Sequence, residues 1–310
     1  MSFLLIIPLF LLQVTEFSGW KSIDLKSFAW LRSIHFVNSE RGFVVGNKGA
    51  FFETVDGGKN WRHKSITDDN ILDVYFSDEN TGWLLCEKDI LAETISYILK
   101  TSDGGLSWQK IEFDKEKRRF SKFLKHGKTE KLFVVGESGA FYELYEDRLK
   151  KIEIPTLYRI TDGFLTADLM ILVGGEGLII TSRNTKDWEK AIFNVPPQNR
   201  FNAVFFVDEK LGWAVGNRGQ IYFTTNGGRL WQKQESNVLE NLNDVLFISK
   251  KEGFAVGDGG LILQTKDSGA SWNKTKLPTN KKLEKLFFVN GKIFVAGFGG
   301  AFYSLETSSR

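Results

Sequence analysis

The sequence holds a single cysteine, Cys86, and three histidines, His35, His63 and His126. One cysteine forms no internal disulfide, and cysteine and histidine together are too sparse for a zinc site. Three histidines also leave little choice for a Ser-His-Asp constellation. Prolines number only 5 in 310 residues, against 30 glycines, a balance of many tight turns and few linkers. No stretch sustains a helical period. Charge of one sign is missing too, since 41 basic residues face 38 acidic ones. Phosphate binding wants concentrated positive charge, so no nucleic-acid partner is expected. Every Gly pair sits in a hairpin pattern rather than opening a helix, which argues against a phosphate-cradling loop. Neither a cofactor nor a metal is expected.

The first residues read MSFLLIIPLFLLQVTEFSGW. The apolar run 3–12 is too short to span a bilayer and suits the core of a signal peptide, although no Lys or Arg precedes it. The expectation is an export signal over residues 1–19, a single folded unit over 20–310, and a location in the periplasm, the cell envelope or outside the cell.

Tryptophan gives the period. Trp20, Trp61, Trp108, Trp188, Trp231 and Trp272 are 41, 47, 80, 43 and 41 residues apart, and the gap of 80 is two units with one tryptophan missing. A period near 40 marks a repeat architecture. Each unit opens on an apolar run such as LRSIHF (31–36) or FNAVFF (201–206). A run ending in Gly follows, such as GFVVG (42–46), then a third run such as GAFFET (49–54), then a fourth beginning at tryptophan. Short runs rich in Val, Ile, Phe and Tyr between Gly, Asn and Asp are strands. Openings near residues 31, 71, 120, 157, 201, 242 and 283 make seven units. The expected fold is therefore all-β, a seven-bladed propeller of four-stranded antiparallel blades. Unit seven stops after three strands, and WKSIDL (20–25) supplies the missing outer strand, closing the ring. A monomer is expected.

Strands three and four are joined by TVDGGKNW (54–61), TSDGGLSW (101–108), TTNGGRLW (224–231), TKDSGASW (265–272) and a decayed TSRNTKDW (181–188). An Asp or Asn side chain accepts from exposed turn amides, and Gly at the next positions permits positive φ. Asp56, Asp103, Asn226 and Asp267 are read as turn-closing residues. Trp61, Trp108, Trp231 and Trp272 are read as staples between blades. Carboxylates spaced evenly around a ring do not converge on one substrate. Blade three replaces the box with the short turn of YELYEDRLKK (142–151).

These boxes resemble the Asp-box repeats of sialidases and sortilin-type receptors. The longer phrase in GWAVGNRGQIYFTTNGGRLW (212–231) and GFVVGNKGAFFETVDGGKNW (42–61) resembles the photosystem II assembly and stability factor family of cyanobacteria and chloroplasts, which has relatives in non-photosynthetic bacteria. The resemblance spans the chain from about residue 20 onward. It implies an exported, non-enzymatic propeller that binds a partner protein, within a membrane-associated complex, through a face carrying arginines. Turns between strands two and three share a face with the entries to strand one. That count places Arg32, Lys48, Arg119, Arg159, Arg200 and Arg218 on the candidate partner-binding face. Asp73, Asp244, Asp258, Glu137, Glu176 and Glu284 fall near it as well.

A second reading is a sialidase-like propeller that binds or cleaves glycans. LYRITDG (157–163) comes nearest to the sialidase signature, with Thr161 where that signature has proline. Asp73, Asp162 and Asp244 start near the channel and are the carboxylates from which such an enzyme would draw its catalytic pair. Two further segments depart from the repeat. DKEKRRF (114–120) reads as a charged crossing, and CEKDILAETISYILK (86–100) as a lengthened loop in blade two on the candidate face.

Overall fold

A computed structural model describes residues 19–90, 93–111, 119–125 and 131–307. Residues 1–18 of the expected export signal, residues 114–118 of the charged crossing and His126 lie outside them.

The described residues form seven sheets, antiparallel throughout but for one short parallel edge pair in the fifth. Their first strands are Leu31–Phe36, Asn70–Phe76, Phe120–Lys125, Ile160–Leu165, Phe201–Phe206, Leu242–Phe247 and Leu283–Val289. Each touches the next, and the seventh touches the first, so the sheets are blades around a central channel. The seven-bladed reading of the sequence is what the structure shows. Second strands such as Gly42–Gly46 and Gly212–Gly216 are buried along their whole length, because both faces of a blade are covered by neighbouring blades. That is why they read as unbroken apolar runs rather than alternating ones. Each cluster of core side chains joins adjacent blades. Leu31, Val44 and Phe52 of blade one, for example, pack on Phe294 and Phe302 of blade seven.

The chain's start completes the last blade. Lys21–Ser22 pairs antiparallel with Phe302–Glu306, placing Lys21 opposite Ser304 and Ser22 opposite Tyr303. Trp20 is buried beside this seam, edge-on to Phe254 at 6.4 Å between ring centroids.

The box turns follow one hydrogen-bond plan. Asp56 Oδ1 accepts from the amides of Lys59 and Asn60 at 3.0 and 2.9 Å. Thr54 Oγ1 donates to the same oxygen and accepts from the Gly58 amide. Trp61 Nε1 then donates to the Gly58 carbonyl, and its ring stands edge-on to Phe294 and Phe302 of the preceding blade. Asp103 and Asp267 repeat the acceptor pattern, and Asn226 supplies a neutral copy of it. Amide and hydroxyl donors hold the Asp56, Asp103 and Asp267 carboxyls down at about 2. The ring of Trp231 packs beside Ile171, and that of Trp272 near Trp213, each on the preceding blade. Trp108 lies edge-on to Phe51 of blade one.

Three details depart from the sequence reading. The decayed box is set one residue later than the alignment from Thr181 suggests. Ser182 and Asn184 take the Thr and Asp roles, with Asn184 Oδ1 accepting from the amides of Lys186 and Asp187. The run after Trp188 is not one strand: Trp188–Lys190 ends blade four, and Ile192–Phe193 crosses to pair in parallel with Leu230–Gln234 of blade five.

The third departure lies in blade two, where the expected loop is a strand pair. Gly82–Ile90 and Glu93–Thr101 pair as a hairpin of two nine-residue strands. Cys86 explains the difference. In the other six blades Gly46, Gly136, Gly174, Gly216, Gly257 and Gly297 end the second strand, and a Cβ there would sit 2.1–2.2 Å from the carbonyl oxygen of the residue just before the first strand. With cysteine in that place, blade two keeps its ladder, Ile71 opposite Cys86 and Asn70 opposite Glu87, and the hairpin runs on.

Candidate docking face

Turns between strands two and three build one end of the ring together with the entries to the first strands. In the turns at Lys48, Ser138, Glu176, Arg218, Gly259 and Gly299 the named residue has a left-handed backbone, with φ between 52 and 68°. The glycine after each is fixed by contact. A Cβ on Gly49 or Gly300 would lie 1.9 Å from the Thr67 or Ser27 carbonyl oxygen. This turn pushes its second residue outward, so Lys48 and Arg218 stand exposed on that face.

The channel opens on the same face as a cavity of about 300 Å³. Its wall is layered by a bulge that recurs in every first strand. At four bulges the side chain donates to the carbonyl that begins the next blade: Ser121 to Ile160, Thr161 to Phe201, Asn202 to Leu242 and Asn243 to Leu283. One residue deeper, carboxylates do the reverse. Asp73, Asp162 and Asp244 accept from the amides of Phe123, Val204 and Leu286 of the following blades. Lys122 pairs with Asp162 at 2.6 Å and Lys285 with Asp244 at 2.8 Å. Ser33 donates to Asp73 at 2.5 Å. Burial raises the Asp73 carboxyl, against the Ser33 hydrogen bond and the nearby Lys122 and Lys285. Burial works against the charged form of Lys285, but Asp244, Asp162 and Asp73 outweigh it and its pKa rises. These three aspartates, the candidate glycosidase carboxylates of the sequence reading, are thus committed to holding blades together.

The six basic positions expected on this face sort into two groups. Arg32 sits at a bulge inside the mouth, and Arg119, Arg159 and Arg200 occupy the rim, each just before its strand. Their proximity is electrostatic as well as topological. Partial desolvation at the mouth lowers the pKa of Arg159, although the residue stays open to solvent; Glu137 opposes this, and Arg200, Arg119 and Arg32 add to the lowering. Arg119 lies 3.4 Å from Glu87 and 3.5 Å from Glu137. Arg32 lies 3.8 Å from Glu284, which Lys282 also approaches at 2.8 Å. The guanidinium groups of Arg159 and Arg200 make no ion pair or hydrogen bond among the described residues. Lys48 and Arg218 form the second group, lining grooves between blades seven and one and between blades five and six. Of the acids counted onto this face, Glu137 and Glu284 thus serve local arginines and a lysine, and Asp258 accepts from Asn241 and Asn243.

Sequence reasoning missed the apolar component. Phe28, Leu157 and Leu239 are 91%, 84% and 84% exposed, and Tyr158, Val195 and Phe298 are also exposed. All six sit in connectors or turns at the channel-mouth end. Their signal was available: each is a large apolar residue within a short blade-to-blade connector or a Gly-rich turn, where packing does not call for one.

The family model described as "Photosynthesis system II assembly factor YCF48" matches residues 12–70 and 180–284, more than half of the chain. The chain belongs to this family. Among curated relatives, "Photosystem II assembly protein Ycf48" of Thermosynechococcus vestitus is 26% identical over 279 residues, covering 73% of this chain and 78% of its own length. "Photosystem II assembly lipoprotein Ycf48" of Synechococcus sp. is 22% identical over 265 residues, covering 69% and 78%. Among solved structures, YCF48 from Cyanidioschyzon merolae superposes with a TM-score of 0.77 at 21% identity, over 93% of this chain and 99% of that one. A structure described as YCF48 bound to D1 peptide gives 0.78 at 20% identity, over 94% and 96%. These structures share the propeller fold with this chain.

Proposed function

We propose that this protein is an exported, non-catalytic propeller that docks a partner protein on its channel-mouth face, as an assembly or stability factor for a membrane-associated complex. The observation that carries the reading is the convergence of Arg32, Arg119, Arg159 and Arg200, from four different blades, on one mouth. Arginines drawn together against their mutual repulsion, two of them in no ion pair among the described residues, suit a partner that brings carboxylates of its own. The exposed Phe28, Leu157 and Leu239 around them supply the apolar area that a protein interface needs at its centre. The peptide named in the description of one solved relative, and the assembly role in the names of the curated ones, support the same reading. Export is supported by the word lipoprotein in the names of several relatives. The hydrogen-bonded state of Asp73, Asp162 and Asp244 argues against the glycan-cleaving alternative.

The test is co-purification of partners from the native cell envelope, comparing wild type with the double variant Arg159→Glu, Arg200→Glu. Both side chains are exposed, so the fold is expected to survive. Partners should be lost from the variant. Retention of the same partners at the same yield would end the proposal.

A further inference from the structure

We infer that the groove between blades seven and one is an anchor subsite of the docking face, taking a large apolar side chain from an extended acidic segment of the partner. The inference depends on the docking reading above. The groove encloses about 700 Å³, room for an aromatic side chain and the backbone beside it. Its wall carries Leu25, Phe28, Trp30, Phe52 and Phe298. Phe28 is 91% exposed and Phe298 52%, two aromatic rings open to solvent on the groove wall.

Charge decides what kind of segment fits. Among the described residues no Asp or Glu lines the groove, whereas Lys48 and His63 do, along with Lys26, whose ammonium is paired to Asp24 at 2.5 Å outside the lining. Trp30 lines both this groove and the channel mouth, so the two adjoin at its ring. Its ring is fixed from several sides: the Arg32 guanidinium lies 4.0 Å from the centroid, the Lys282 ammonium 5.1 Å, and Phe298 stands edge-on at 5.7 Å. A segment lying across Trp30 therefore meets aromatic surface on one side and arginines on the other. Rigid aromatic side chains beside a cationic rim are the usual make-up of a binding hot spot.

The experiment is selection of a phage-displayed random 12-residue peptide library against the full chain at low ionic strength. Three baits are compared: wild type, Phe28→Ser, and the double variant Arg159→Glu, Arg200→Glu. Wild type is expected to enrich peptides carrying carboxylates with a Phe, Trp or Leu a few residues away. Such a peptide, made synthetically, should bind Phe28→Ser roughly tenfold more weakly. The arginine variant should lose the acidic preference. Enrichment of acidic peptides with no apolar preference, or equal binding to Phe28→Ser, would overturn the groove inference and leave the docking reading standing. Apolar enrichment that ignores the arginine variant would overturn the docking reading, and no enrichment at all would overturn both.

Discussion

The amide of Ile23 donates to the carbonyl of Phe302 at 2.8 Å, so the first and last strands of the propeller share one sheet. Ring stability accordingly passes through a seam of two paired residues, Lys21 and Ser22, and the buried ring of Trp20 beside them. Trp20→Ala should lower unfolding stability by about 3 kcal/mol. Phe28→Ala, only a few residues on but exposed, should change it by less than about 0.5 kcal/mol. Urea denaturation of both variants checks the contrast, and equal effects would contradict the seam.

The box carboxylates set an acid limit. Asp56, Asp103 and Asp267 have folded-state values of about 2, below the ordinary aspartate value. A depressed carboxyl stabilises the fold above its unfolded pKa, and that stabilisation is lost as pH falls through the folded value. Stability should therefore drop between about pH 4 and pH 2. The blade-five box already works with the neutral Asn226. Asn at all three aspartates should flatten this acid limb in urea midpoints measured from pH 2 to 6.

His35 adds a separate step at higher pH. Burial lowers its pKa to about 4, against the backbone hydrogen bond to Phe76 and with help from Lys125. Because the folded state binds its proton less readily than the unfolded chain, stability is fully present above about pH 6.5 and declines as pH falls toward 4. The loss across that window is up to about 3 kcal/mol. His35→Phe, next to Tyr75 and Phe287, should remove it from thermal unfolding curves taken at pH 7, 5.5 and 4.5.

Arg218 separates docking from stability. Its φ of 56° is the left-handed region, where the equivalent turns of blades six and seven use Gly259 and Gly299. Arg218→Gly relieves strain in the fold but frees the unfolded chain, so its net effect should lie within about 1 kcal/mol of zero. Partner binding should nonetheless weaken. Two neighbouring glycines give a control for the turn itself. A Cβ on Gly259 meets open space, whereas one on Gly260 would lie 2.1 Å from the Thr279 carbonyl oxygen. Gly259→Ala should cost about 1 kcal/mol, and Gly260→Ala distinctly more.

Much of this architecture is legible in the sequence because it repeats. The tryptophan period, the apolar runs and WKSIDL gave blade number and closure from spacing alone. Other features lie in exceptions to the repeat. Cys86 in a closing glycine's place looks like one small residue for another until the rim carbonyl that glycine admits is seen. The split after Trp188 reflects a competition between two blades for one strand, which no local pattern records. Arg32, Arg119, Arg159 and Arg200 could be counted onto one face, but their distribution between mouth and rim depends on the first-strand bulge. The roles of Asp73, Asp162 and Asp244 are set by amides about 40 to 50 residues away in the next blade.

The central claim is that partners dock on the channel-mouth face, and lysine crosslinking in the native cell envelope followed by mass spectrometry tests it most directly. Lys48 and Lys282 mark that face, whereas Lys59, Lys210 and Lys250 mark the opposite end, with the box turns. The account predicts partner crosslinks concentrated at Lys48 and Lys282. Crosslinks concentrated at Lys59, Lys210 and Lys250 would contradict it.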